Sequence, residues 1–181
     1  MNKDVKSILI DEAELAEINN RLGKEITEDY SGSDKPLVVI VILKGSLVFA
    51  ADIIRKINLP LQLEFMKVSS YGAGTKTSGE IKVHLDLMRD DLENLNILII
   101  EDIIDTGRTL SRLTQLLRNR NAHSVRTCTL LDKPSRREVD FVPDYCGKII
   151  PDEFVIGYGL DYDEKYRNLP YVGILDPKVY S

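Results

Sequence analysis

The chain is poor in the features that would place it in several large protein classes. It has two cysteines and two histidines among 181 residues. Cys128 lies in an apolar run and Cys146 in a Pro/Gly-flanked stretch, the placement of reduced structural thiols without metal-type spacing. His84 and His123 have no neighbouring ligand residues, so neither carries a metal motif. Positive charge is scarce: 24 Lys and Arg against 29 Asp and Glu leave a net charge of -5. That balance argues against an electrostatically driven nucleic-acid binder, and an anionic ligand would need a local cation or a metal. Apolar runs such as residues 37–43 are far too short to span a bilayer, so no membrane partner is expected. A basic-then-apolar leader is missing, because Asp4, Asp11 and Glu12 interrupt one, and a cytoplasmic location is expected. Repeats, low-complexity segments and flexible linkers are absent. So are two phosphate-binding fingerprints, G-x-x-x-x-G-K-[ST] and G-x-G-x-x-G.

What is present is an alternation of strand and helix patterns. Asp11-Glu12-Ala13-Glu14 followed by Leu15, Ile18, Leu22 and Ile26 reads as a capped amphipathic helix. Residues 37–43 form an unbroken β-branched run, the pattern of a strand covered on both faces. A helix follows, with Leu47, Ala50, Ala51, Ile54 and Ile57 at helical spacing. Residues 61–68 and 80–87 read as two strands joined by a glycine-rich loop over 69–79. Residues 96–100 and 125–131 are further buried strands flanking a helix over 109–118. Strands alternating with helices predict an α/β fold with a mainly parallel central sheet. The length suits one domain, 1–181. Residues 36–133 are its expected core. Residues 134–181, rich in turn residues, are expected to join the N-terminal segment in a small hood over one edge of the sheet.

The chemistry concentrates in Ile99-Ile100-Glu101-Asp102-Ile103-Ile104-Asp105-Thr106-Gly107-Arg108-Thr109-Leu110. In open α/β sheets, ligands collect at the carboxyl ends of the strands. There Thr106-Gly107-Arg108-Thr109 offers backbone N–H groups at a helix start, two hydroxyls and a glycine that permits close approach, a place suited to a phosphate. The carboxylates at its mouth then need separate duties. An isolated Glu-Asp pair can be merely solvated. Asp-Thr-Gly is also the turn of aspartic proteases, but that reading requires β-structure after the turn and a second copy, and here a helical pattern follows with no second copy.

This stretch resembles the phosphoribosyl-pyrophosphate (PRPP) signature of the type I phosphoribosyltransferases, an apolar strand, two acids, two apolar residues and D-T-G-x-T. The resemblance implies that the turn Asp105, Thr106, Gly107, Arg108, Thr109 and Leu110 holds a ribose 5-phosphate. Glu101 and Asp102 would address the ribose hydroxyls and Mg²⁺, the implied cofactor. Carboxylate oxygens suit diols and divalent cations, and N–H donors suit phosphates. Asp105 would be the general acid/base at the purine.

Further motifs resemble the hypoxanthine-guanine branch of that family. Leu43-Lys44-Gly45-Ser46 matches its pyrophosphate loop, where the peptide corresponding to Leu43–Lys44 is often cis. Ser70-Tyr71 matches the serine-tyrosine pair of its lid. Lys133 corresponds to the lysine that donates to the 6-oxo group of the purine. In Pro151-Asp152-Glu153-Phe154-Val155-Ile156-Gly157-Tyr158-Gly159-Leu160-Asp161-Tyr162, Phe154 would stack on the base and the Val155 backbone would read its edge. Ile103 would line the base site. Asp161 would support a second Mg²⁺ and the guanine amine, and Arg167 would contact pyrophosphate. The resemblance thus implies PRPP, hypoxanthine and guanine as partners, and a homodimer or homotetramer. Taken singly, each of these residues also has an ordinary structural role, as core aromatic, exposed acid or surface cation. Two alternatives to the hypoxanthine-guanine activity stay open, a regulatory protein that senses PRPP and an enzyme preferring xanthine.

Overall fold

The computed structural model describes residues 3–70 and 81–180. Two sheets and three α-helices organise them, in the order β1 (Val5–Ile10), α1 (Glu12–Tyr30), β2 (Leu37–Ile42), α2 (Leu47–Ile53), β3 (Leu61–Ser70), β4 (Ile81–Leu85), β5 (Asn96–Ile104), α3 (Arg108–Asn119), β6 (Ser124–Asp132), β7 (Tyr145–Ile149), β8 (Val155–Ile156) and β9 (Val172–Leu175). The larger sheet runs β4-β3-β2-β5-β6-β7. Every neighbouring pair in it is parallel except β3 with β4. The smaller sheet, β1-β9-β8, is antiparallel throughout.

The apolar runs explain the core directly. All six residues of β2 are buried, and successive side chains point to opposite faces of a sheet. Val39 and Val41 therefore pack with Leu98, Ile100, Cys128 and Leu130 against α1 and α2. Val38, Ile40 and Ile42 pack with Ile97 and Ile99 against Leu110, Leu113 and Leu117 of α3. Asp11 caps α1 by accepting from the Glu14 N–H at 2.9 Å. At the lower edge of the sheet Asn96 ties three strand starts together: its Nδ2 donates to Ser33 Oγ at 2.7 Å, and its Oδ1 accepts from Ser124 Oγ at 2.6 Å.

Several elements differ from the sequence expectation. Strand β1 is an addition: Lys6 and Ser7 interrupt its apolar pattern, and it forms by pairing with β9 rather than by its own composition. Strand β7 is another, so part of the segment after Pro134 extends the main sheet beside β6 instead of joining the hood. Helix α2 stops at Ile53, and Lys56 N donates to the Ile53 carbonyl in a tighter turn. Strand β5 continues to Ile104, which places Glu101 and Asp102 on the strand rather than on the loop after it. The small sheet also packs on the α1/α2 face, since Val155, Tyr158, Leu160 and Val172 share one core with those helices. It does not merely cover an edge.

A polar contact fastens that packing. Tyr158 Oη donates to Asp52 Oδ2 at 2.5 Å and accepts from Asn19 Nδ2 at 3.0 Å, joining α1, α2 and the turn after β8. None of the helices among the described residues is long and apolar enough to cross a membrane.

Because Ile99 is fully buried between β2, β6 and α3, we expect Ile99→Ala to lower unfolding free energy by about 2–5 kcal/mol in urea titration. A loss below ~1 kcal/mol would show that this layer collapses around the cavity.

Candidate active site

The turn after β5 is built on one conformational demand. Gly107, the N-cap of α3, has φ 78°, a region that other residues enter at a cost. It is also crowded: a Cβ there would lie 2.9 Å from Arg137 Cδ and 3.2 Å from Val139 Cγ2. The N-cap Gly107 offers no side chain to the start of α3, so the helix's leading N–H groups beyond that of Arg108, unpaired within any helix, are available to an anion. A small cavity of about 120 Å³ adjoins them, bordered by Glu101, Ile103, Ile104, Asp105, Thr106, Gly107, Thr109 and Leu110. Thr106 Oγ1 accepts from the Arg108 N–H at 3.3 Å. The Arg108 side chain turns away to Glu138, 2.6 Å from its Oε2.

A second cleft, of about 480 Å³, lies on the other side of the same strand end. It is bordered by Asp102, Ile103, Asp105, Lys133, Arg136, Asp152, Glu153, Phe154, Val155, Leu160, Asp161 and Tyr180. Ile103 and Asp105 border both spaces, so the last residues of β5 form a partition between them. Lys133 is only 7% exposed, unlike the solvated lysine its residue type alone would suggest. Its Nζ lies 3.7 Å from Asp105 Oδ1 and 3.9 Å from Asp152 Oδ1, ion-pair rather than hydrogen-bond distances. The Phe154 ring meets the edge of Tyr162 at 5.5 Å and stacks on Tyr180 at 5.2 Å between centroids.

The acids on β5 are held in an unfavourable setting. Burial, with Asp102 alongside, pushes the Glu101 carboxyl well above the usual range, and Glu101 Oε2 is buried without a hydrogen-bond partner. Burial raises Asp102 to about 6, against opposing hydrogen bonds from backbone N–H groups and the Arg167 charge. Desolvation disfavours the ionised form of any acid. Asp102 Oδ2 also fills the space over Gly45, where a Cβ would come within 1.6 Å of it. The loop carrying Lys44 and Gly45 therefore sits directly on β5, and the Leu43–Lys44 peptide is cis. On its other side the Gly45 carbonyl touches Gly159, which has φ 101° and room for no Cβ.

Arg167 and Lys44 complete this end. Arg167 Nη1 donates to the Gly159 carbonyl at 2.8 Å, and Nη2 lies 2.9 Å from Asp161 Oδ1. Lys44 Nζ lies 3.0 Å from Glu164 Oε2, which is also 3.4 Å from Arg167 Nη2. The two cations hold the Glu164 carboxyl below its usual range, Lys44 foremost. Asp161 is engaged on both oxygens, since Oδ2 accepts from the Glu164 N–H at 3.0 Å.

The structure thus brings together Lys44, Gly45, Glu101, Asp102, Ile103, Asp105, Thr106, Gly107, Arg108, Thr109, Leu110, Lys133, Phe154, Val155, Asp161 and Arg167. Ser70 ends β3, and Tyr71 falls outside the described residues. Sequence reasoning missed Arg137, which donates from Nη1 to the Asp105 carbonyl at 2.6 Å and pairs with Asp132. It also missed Glu164, Asp152 and Tyr180. Asp152 lies in the stretch that resembles the purine-specific region but was given no role there; Arg137, Glu164 and Tyr180 lie in no local motif, and the fold brings them to the site.

Metal binding can be tested against this donor set. Among the described residues no group of three or more His, Cys, Asp or Glu is arranged to hold an ion. The pair Glu101 and Asp102, one of whose oxygens is buried and unpartnered, still fits Mg²⁺, which typically takes one or two carboxylates and completes its shell with water and substrate phosphate.

Comparison with known proteins agrees with this architecture. The phosphoribosyl transferase domain matches residues 4–163, and the chain belongs to that family. Hypoxanthine-guanine phosphoribosyltransferases of Staphylococcus aureus and Staphylococcus epidermidis are each 51% identical to it over 181 residues, covering 100% of this chain and 99% of theirs. A crystal structure of a hypoxanthine phosphoribosyltransferase from S. aureus superposes with a TM-score of 0.93 at 50% identity, covering 100% of this chain and 99% of that one. A mutant hypoxanthine phosphoribosyltransferase from Trypanosoma cruzi, solved as a ternary substrates complex, superposes at 0.93 with 41% identity, covering 99% and 100%.

An acid whose pKa is raised on folding makes the folded state less stable once pH passes above its unfolded value, and the loss is complete above its folded one. For Asp102 that window runs from about 4 to about 6. We expect Asp102→Asn to be more stable than the wild type by about 1–3 kcal/mol at pH 7.5. The gap should narrow as pH falls towards 4, as followed by thermal melts. A variant less stable than wild type at pH 7.5 would place the Asp102 charge among the stabilising features.

Proposed function

We propose that the chain transfers the 5-phosphoribosyl group of PRPP to N9 of hypoxanthine or guanine, releasing pyrophosphate and giving IMP or GMP. The relatives' names support this reading, as does family membership. The observation that carries it is the partition at the end of β5: an anion cradle on one side, a cleft with a buried lysine and the partly exposed Phe154 ring on the other, and acids between.

In this reading the leading N–H groups of α3, with Thr106 and Thr109, hold the 5-phosphate. Lys44 and Arg167 offset charge building on the departing pyrophosphate, a field that a chain of net charge -5 must supply locally. Mg²⁺, when held by Glu101 and Asp102 together with substrate oxygens, would neutralise part of that charge. As the bond to pyrophosphate lengthens, positive charge develops on the ribose ring, and the carboxylates of β5 lie on the side where it builds. Asp105 borders both spaces and serves as acid/base at purine N7. Lys133 donates to the 6-oxo group. Adenine presents an amine donor at that position and would face an ammonium with nothing to accept. Phe154 supports the base plane, and Val155 reads its edge through the backbone. Self-association as a dimer or tetramer goes with the exposed apolar side chains Leu47, Leu63, Phe65 and Leu85.

The defining experiment is a base panel at saturating PRPP and Mg²⁺. Hypoxanthine and guanine should release pyrophosphate, with adenine far behind. Release with xanthine alone would move the base preference, and no release with any base would make the protein a binder. Asp105→Asn should lower kcat by about 10²-fold, within the usual range for acid–base help, with PRPP affinity within a few fold. Lost PRPP binding with intact turnover would assign Asp105 to binding alone. Lys133→Ala should depress kcat/KM for both oxopurines while adenine stays poor; an undiminished value for hypoxanthine would remove Lys133 from base recognition.

A further inference from the structure

One carboxylate, assigned no role above, engages both cations on the pyrophosphate side. Glu164 sits in a turn where it and Asp163 have φ of 60° and 52°, a region uncommon for residues with side chains and kept where surroundings enforce it. Reciprocal hydrogen bonds between Tyr162 and Lys165, at 3.2 and 3.0 Å, close that turn. The Glu164 N–H is tethered to Asp161 Oδ2. From this fixed base its Oε2 reaches Lys44 Nζ at 3.0 Å and Arg167 Nη2 at 3.4 Å. A single oxygen is thus shared by cations from two parts of the chain, one on the loop after β2 and one beyond β8.

Arg167 is already paired with Asp161, and Lys165 with Asp163, each at 2.9 Å. Glu164 is the acid that reaches Lys44. Yet its side chain is 65% exposed and that of Lys44 52%, so the pair lies in water, where such contacts are weak and easily exchanged. A phosphoryl oxygen seeks the same N–H donors as a carboxylate oxygen, and both cannot crowd between the same two cations without repelling each other.

We propose that Glu164 is a positioning residue: its carboxylate stands where a pyrophosphate oxygen would sit between Lys44 and Arg167, and it is exchanged for that oxygen on binding. The inference rests on the reading of Lys44 and Arg167 as the pyrophosphate cations. Its functional sense is twofold. Glu164 keeps two long side chains extended towards the site before substrate arrives, and it competes for them afterwards, which favours release of the pyrophosphate product.

The test is calorimetric titration of pyrophosphate with Mg²⁺ into wild type, Glu164→Gln and Glu164→Ala, alongside steady-state KM values for PRPP and hypoxanthine. Both variants should bind pyrophosphate about two- to fivefold more tightly at low ionic strength, the scale expected for an exposed pair. The difference should shrink as salt is raised and the charges are screened. The KM for PRPP should fall with it, while that for hypoxanthine stays within about twofold. A carboxylate that merely braced the turn would give the opposite pattern, with weaker pyrophosphate binding and purine KM disturbed alongside. Unchanged or weaker pyrophosphate binding in Glu164→Gln at low salt, in an enzyme whose wild type is active, would overturn this inference alone. A wild type that released no pyrophosphate from PRPP and hypoxanthine would instead overturn the underlying reading, and this inference with it.

Discussion

The arrangement depends on two carboxylates that the fold half-buries at the end of its central strand. Glu101 and Asp102 continue a strand whose preceding residues are wholly buried, so they project from the core into a setting that disfavours their charge. The protein supplies no hydrogen-bond partner to Glu101 Oε2. Such a pair is costly in isolation and becomes favourable only when something positively charged, or rich in hydroxyl donors, comes to it. The parallel sheet makes this possible. β5 lies between β2 and β6, and that central position holds the acids against the strain of their own desolvation.

Around this pair the remaining elements are placed by charge balance. The turn at residues 105–109 is clamped from outside: Arg137 grips the Asp105 carbonyl, and the Glu138 N–H donates to the Thr106 carbonyl at 3.0 Å. The cradle is therefore shaped by a segment that lies beyond β6 and does not itself border the cavity. On the opposite side, cations that would serve an anionic ligand are matched in its absence by Glu164 and Asp161. Lys133, buried between two carboxylates, is similarly balanced. Lys44 and Arg167 face Glu164 and Asp161 in equal number, which lets an acidic protein keep those two cations in place without local excess.

Much of this was legible in the chain, for physical reasons that differ from element to element. Strands β2, β5 and β6 announce themselves because a strand covered on both faces is rich in apolar and β-branched residues, a signal that needs no partner to be read. The helix after Gly107 was legible from its leucine spacing. Strands β1 and β7 were not, because Lys6-Ser7 and Gly147-Lys148 carry the composition of edge strands stabilised by pairing alone. At the site, the motif residues were found because the chemistry packs into one strand–turn–helix unit. Glu164, Arg137, Asp152 and Tyr180 escaped because their relevance arises from contacts across the fold, such as the 120 residues that separate Lys44 from Glu164. The extension of β5 through Ile104 was hidden for a related reason: acids rarely continue a buried strand unless a ligand requires them.

The contact between Gly159 and the Gly45 carbonyl bears on any effort to redesign the enzyme. Two stretches of main chain touch there with no side chain between them, so neither position can be diversified and neither surface offers a tunable wall. Libraries aimed at accepting altered bases would have to leave that seam untouched and work through side chains that border the cleft, such as Leu160 and Tyr180.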